Sequence, residues 1–122
     1  MKQPTKIFDI DCQDDTVIVT PLTDLSEFDF EQLVSEAEDA FKHLDDKEEI
    51  KNIIIDFHHT DYFGSTTLGF FVKLWKRIRS RDGKMALCNV SDHEREILEV
   101  TKFDTVWPIL PTLKDARAAL QK

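Results

Sequence analysis

Glycine is scarce in this chain of 122 residues: there are three, Gly64, Gly69 and Gly83. Few positions can enter the left-handed backbone region without strain, so a compact fold with short connections is expected. Cysteine is scarcer still. Cys12 and Cys88 are too few for a disulfide framework, and a reducing, cytoplasmic setting is expected. No apolar run approaches the roughly 18 residues that a membrane span needs. The N-terminal stretch MKQPTKIFDIDCQDD has no apolar core of a signal peptide. An excess of positive charge is also missing. The 16 basic and 24 acidic side chains leave a net charge of −8, which argues against direct binding to nucleic acid. There is no internal repeat, low-complexity tract or Gly/Ser linker.

What remains is the composition of a globular protein, 41% hydrophobic and 33% charged, at the length of one domain spanning 1–122. The charge is uneven. Residues 1–50 hold 15 acids and 4 bases, and residues 51–122 hold 9 and 12. Such asymmetry often marks a binding face.

Residues 6–11 (KIFDID) and 16–20 (TVIVT) read as two strands around a Gln13-Asp14-Asp15 turn, closed by Pro21, which predicts a hairpin. From 26 to 44 the period becomes helical: Phe30, Leu33, Val34, Ala37, Phe41 and Leu44 form a stripe, and Ser26 with Asp29 has the spacing of a capping box. Residues 52–57 (NIIIDF) form a continuous apolar run, as in a strand buried on both faces. A loop follows, then a helix over about 66–80 with Leu68, Phe71, Val72, Trp75 and Ile78 on one side. Gly83 falls near the C′ position that ends it. Residues 84–90 (KMALCNV) read as a strand. Ser91 and Glu94 form a capping box for a short helix, 106–110 reads as a last strand, and Thr112 with Asp115 caps a helix through Leu120. The order is ββαβαβαβα. That predicts an α/β fold with one mixed sheet, its later strands parallel and joined by crossovers. Trp75 and Trp107 are expected in the core.

Functional groups in such sheets gather beyond the carboxyl ends of parallel strands. Here that end is Asp56, and the loop is 57–65. Gly64 to Gly69 has the spacing of a phosphate loop, but Phe70 and Phe71 stand where a lysine and a hydroxyl are required. The two glycines are better explained by a turn and by close helix packing. Ser65, His58 and Asp61 are near one another, but no nucleophile elbow is present, so a hydrolase reading is unsupported. His58 and His59, if extended, point to opposite faces and make a poor metal site. Ser65, Thr66 and Thr67 then open a helix. One reading is simple N-capping by one of them. The other is a phosphorylation site, because a helix N-terminus favours a dianion and a phosphate there alters a docking surface without any catalysis by this chain.

The segment IIIDFHHTDYFGSTTLGFF resembles the signature of STAS domains, in particular bacterial anti-sigma factor antagonists: a strand ending in Asp, a loop, then Asp-Ser-Ser/Thr-Gly-Leu-Gly opening a helix. Asp56 matches the strand-end acid, Ser65 and Thr66 the two hydroxyls, and Leu68-Gly69 the Leu-Gly after them. The resemblance continues through LWKRIRSRDGKMALCNVS and EREILEVTKFDTVWPI. It implies a protein that is not an enzyme and carries no cofactor or metal. Its partner would be an anti-sigma factor that is also a serine kinase, with ATP used by the partner only. Phosphorylation of the second hydroxyl, Thr66 by position with Ser65 beside it, would end binding. Asp61, Tyr62, Phe63, Gly64, Thr67, Leu68, Lys73 and Lys76 would contact the partner, one of Tyr62 and Phe63 filling the core and the other serving as an exposed anchor. Two positions depart from the pattern. Gly64 stands for the acid before the hydroxyls, and Thr67 for the glycine after them. A constitutive scaffold or sensor subunit of the same fold is the alternative that Gly64 supports. Lys73, Lys76, Arg77, Arg79, Arg81 and Lys84 read either as a solvated face or as a patch for an acidic partner surface.

Overall fold

The computed structural model describes residues 7–25, 28–38, 42 and 50–121. The order is as expected: β1 (Phe8–Gln13), β2 (Thr16–Pro21), α1 (Phe30–Glu36), β3 (Asn52–Asp56), α2 (Ser65–Arg79), β4 (Met85–Cys88), α3 (Asp92–Val100), β5 (Ile109–Leu110) and α4 (Leu113–Leu120), with a 3-10 turn at Phe103–Thr105. The strands form one sheet in sequence order. β1 and β2 are antiparallel, and each later pair is parallel.

β3 lies in the middle, and all five of its residues are buried. Alternation along it divides the core. Ile53 and Ile55, with Val17, Val19, Met85 and Leu87, face the layer that holds Leu33 of α1, Phe70, Phe71 and Leu74 of α2, and Leu98 of α3. Ile54, with Ile18, Ala86 and Cys88, faces Ala116 and Leu120 of α4. A strand covered on both faces has no polar side, which is why its sequence reads as an unbroken apolar run.

Several boundaries differ from the sequence reading, each for a local reason. β1 extends to Gln13, which pairs with Thr16. The turn is Asp14-Asp15 alone, with Asp14 at φ 56, and Arg117 of α4 holds the Asp14 carboxylate at 3.0 Å. β5 is short because Val106 and Trp107 donate their N–H groups to the Phe103 carbonyl at 3.0 and 2.9 Å, so neither can join the ladder. Trp107 is buried and stacks on Phe103 at 4.6 Å. Trp75 is only half-buried, with the Arg79 guanidinium 4.7 Å above its ring.

The cap of α1 is Asp29, not Ser26. The Asp29 carboxylate accepts from Gln32 N at 2.8 Å, and the Gln32 side chain accepts from Asp29 N at 2.9 Å. That reciprocal pair leaves two N-terminal donors satisfied. Ser26, Phe41 and Leu44 lie outside the described residues. Phe30 does not join the buried stripe: as the first helical residue it is 40% exposed. The caps at Ser91/Glu94 and at Thr112 are as read, Thr112 accepting from Asp115 N at 3.1 Å. Gly83 does not take the left-handed position after α2. Asp82 does, at φ 61. Gly69 is not explained by packing either, since a Cβ there meets nothing within 4 Å.

Candidate functional site

The site is built on the step from β3 to α2. Asp56 ends β3 and is almost fully buried. Its Oδ1 accepts from His58 N at 3.1 Å, from His58 Nδ1 at 2.9 Å and from Asn89 Nδ2 at 2.9 Å. Burial alone pushes this carboxyl up. The bonds from Asn89 and His58, with the His58 charge, outweigh burial and hold it below the usual carboxylate range. Asp56 therefore works as a clamp between the ends of two parallel strands. The neighbouring Cys88 thiol is pushed up to about 12, by burial first and then by the Asp56 charge and hydrogen bond. It is a buried thiol with no nucleophilic character at neutral pH.

The loop after Asp56 is tied down along its length. Phe57 and Phe63 are buried, and with Phe71 of α2 they form a trio with ring centres 5.4–5.5 Å apart. Thr60 Oγ1 donates to Glu94 Oε2 at 2.9 Å, and Ser91 Oγ donates to the Asp61 carbonyl at 2.6 Å. Ser91 and Glu94 are the capping box of α3, so the cap of one helix also fixes the approach to another. Glu94 is fully buried. Burial pushes its carboxyl up, and the Asp61 charge adds to this, against bonds from Ser91 and Thr60 that act the other way.

A carboxyl whose folded pKa lies above its unfolded value favours the folded state most when protonated, so its ionisation lowers stability as pH rises through that window. Glu94→Gln keeps the capping geometry and removes the charge. Urea unfolding at pH 5 and pH 8 is expected to show the variant gaining on the wild type as pH rises, with the gap smallest at the acid end.

The hydroxyl run does not cap its helix. The N-cap of α2 is Gly64, at φ −107, with no side-chain cap hydrogen bond. Ser65, Thr66 and Thr67 are the first three helical residues. No acidic residue lies in the first turn, so the positive end of this 15-residue helix has no side-chain cap and no carboxylate of its own first turn. Ser65 and Thr66 are exposed, whereas Thr67 is fully buried. The Thr67 hydroxyl oxygen has no hydrogen-bond partner among the described residues.

Burial sorts the expected contact residues. Asp61, Tyr62, Lys73 and Lys76 are exposed, and Gly64 is partly exposed. Tyr62, at 44% exposure, is the outward aromatic, and Phe63 is the one that fills the core. Phe63, Thr67 and Leu68 are buried, so their side chains offer no surface to a partner. They shape the site from below. The histidines also differ from expectation. His58 and His59 lie on a turn, not an extended segment, and their rings sit side by side with centres 3.9 Å apart. Among the described residues there is no group of three metal-ligating side chains. Sequence reasoning missed Asn89, which reaches Asp56 across the sheet ends, and the second role of Glu94. Only its capping-box spacing was visible.

The model of the STAS domain family matches residues 8–116. The chain belongs to the STAS domain family. Among curated relatives, a Bordetella bronchiseptica protein provisionally named the anti-sigma factor antagonist BtrV is 29% identical over 71 residues. That match covers 58% of this chain and 61% of the relative. Among solved structures, a Thermotoga maritima protein provisionally named an anti-sigma factor antagonist superposes with a TM-score of 0.81 at 23% identity, covering 94% of this chain and 95% of that one. The anti-sigma factor antagonist SpoIIAA, in its unphosphorylated form, gives 0.75 at 16% identity, covering 93% of this chain and 96% of that one. SpoIIAA of Bacillus is also solved in a phosphorylated form, with a TM-score of 0.67 and 16% identity over 92% of this chain and 97% of that one. These structures share the STAS fold seen here: the mixed five-stranded sheet with its helices. No helix among the described residues is long and apolar enough to cross a membrane.

Proposed function

We propose that this STAS protein is an anti-sigma factor antagonist that works by binding and does no catalysis of its own. Its partner is a cytoplasmic anti-sigma factor that is also a serine kinase, which alone uses ATP. Phosphorylation at Thr66, or at Ser65 beside it, ends the binding. The observation that carries this reading is the start of α2. Two exposed hydroxyls stand in the first turn of a helix whose N-terminus has no side-chain cap and no acid, on a loop fixed by Glu94 and Ser91. A dianion there is favoured by the helix dipole and by nearby N–H groups. It also changes the charge of the surface formed by Asp61, Tyr62 and Gly64, where a partner docks.

The test compares Thr66→Ala with Thr66→Glu against the partner retained from host lysate. The alanine variant is expected to stay bound in the presence of Mg-ATP. The glutamate variant is expected to lose affinity by about tenfold or more, equivalent to about 1.4 kcal/mol. Equal binding by both sinks the phosphate switch.

One observation favours a second reading, a constitutive scaffold. Gly64 leaves the position before the hydroxyls without a carboxylate. A Cβ at Gly64 meets only the Tyr62 hydroxyl, at 3.9 Å, so an aspartate would fit. Under the scaffold reading the complex is indifferent to ATP in the wild type.

A further inference from the structure

The groove between α1 and α2 has walls of opposite charge. Glu31 and Glu38 line it from the α1 side, and Lys73 lines it from α2, with Phe30 and Val34 between them. Lys76 continues the basic wall one turn further along α2, and it is exposed. Among the described residues the acidic and basic walls do not neutralise each other. None of Glu31, Glu38, Lys73 and Lys76 has an ion pair among the described residues. The floor is apolar but incompletely covered: Phe30 is 40% exposed and Val34 is half-buried.

A groove of this kind is complementary to its own copy under one symmetry operation. A two-fold axis lying in the contact plane and parallel to the groove carries each wall over the opposite wall of the second copy. The acidic α1 of one copy then faces the basic α2 of the other, twice, with the two Phe30 side chains near the centre. An axis across the groove would instead set acid against acid. Closed dimers with such self-complementary patches are the commonest homo-oligomers. The net charge of −8 opposes approach at long range, but repulsion beyond about 10 Å is screened at 0.1 M salt while close pairs are less affected.

We propose that this chain pairs with a second copy of itself through the α1–α2 groove, α1 over α2, held by reciprocal contacts of Glu31 and Glu38 with Lys73 and Lys76 around Phe30. The pairing does not depend on phosphate. It covers part of the same helix face as Ser65 and Thr66, so self-association and partner binding compete.

The experiment is sedimentation equilibrium of the full chain up to millimolar protein in 0.1 M salt, with circular dichroism to check that each variant folds. The wild type is expected to rise above its monomer mass of 14.2 kDa toward twice that value. Glu31→Lys with Glu38→Lys moves the net charge of −8 to −4. Net repulsion alone predicts stronger association for that variant, whereas the groove pairing predicts loss of association. Lys73→Glu with Lys76→Glu is expected to lose it as well. The variant carrying all four changes restores walls of opposite sign and is expected to regain the dimer. A wild type that stays monomeric throughout, or a −4 variant that pairs as well as the wild type, overturns the proposal.

Discussion

Replacing Gly83 with alanine is expected to cost this fold about 3 kcal/mol and to lower its melting temperature by about 12 °C. The reason is steric contact and not backbone freedom. Gly83 has no positive φ. A Cβ at this position would overlap the Lys51 carbonyl oxygen and crowd Ile78 Cγ1. The neighbouring bonds leave little room to move. Gly83 N donates to the Ile78 carbonyl at 2.9 Å, Lys84 N to Asn52 Oδ1 at 3.0 Å, and Ile53 N to the Lys84 carbonyl at 2.9 Å. Together they set the register of β4 on β3, where Ile53 faces Met85. Relief of the overlap must therefore disturb the central strand pair. Gly69→Ala is the control. It lies in a helix interior with open space above it, and alanine there is expected to stabilise by about 0.5–1 kcal/mol. Thermal unfolding of the two variants reads both effects.

The second large effect is at Asp56. Asp56→Ala removes the acceptor of three contacts and leaves the part-buried His58 N and Asn89 Nδ2 without it. The expected cost is about 3 kcal/mol near neutral pH, read from urea unfolding. The sign with pH follows from the depressed carboxyl. A group held lower in the folded state contributes its full stabilisation above its unfolded pKa, about 4, and loses it as pH falls through the folded value. The part of the gap that comes from the Asp56 charge is thus fully present above about pH 4 and narrows below it. A gap that stays the same at pH 2–3 would remove the charged clamp from the account.

The element order and the central strand were readable because they depend on short-range pattern. Ile53, Ile54 and Ile55 make an unbroken apolar run between Asn52 and Asp56, and Thr112 and Ser91 announce their helices by spacing alone. The site was partly readable for the same reason: Asp56 and the hydroxyls after Gly64 stand in a recognisable order. The rest depends on distant contacts. Whether Phe63 or Tyr62 turns inward is decided by the gap beside Phe57 and Phe71. Glu94 looks like any capping-box acid until α3 is packed against the loop and Thr60 reaches it. Gly69 and Gly83 are identical letters, and the Lys51 carbonyl and Ile78 beside Gly83 are what separate them. The assignment of Ser65–Thr67 to capping failed because Gly64, though it lacks a side chain, occupies the cap position.

The most direct test of the central claim is the intact mass of the protein after incubation with Mg-ATP in lysate of its own host, followed by peptide mapping of residues 52–73. The account predicts the addition of one phosphate, mapped to Thr66 or Ser65. An unchanged mass, with an ATP-insensitive partner retained from the same lysate, would contradict the switch and leave the constitutive scaffold in its place.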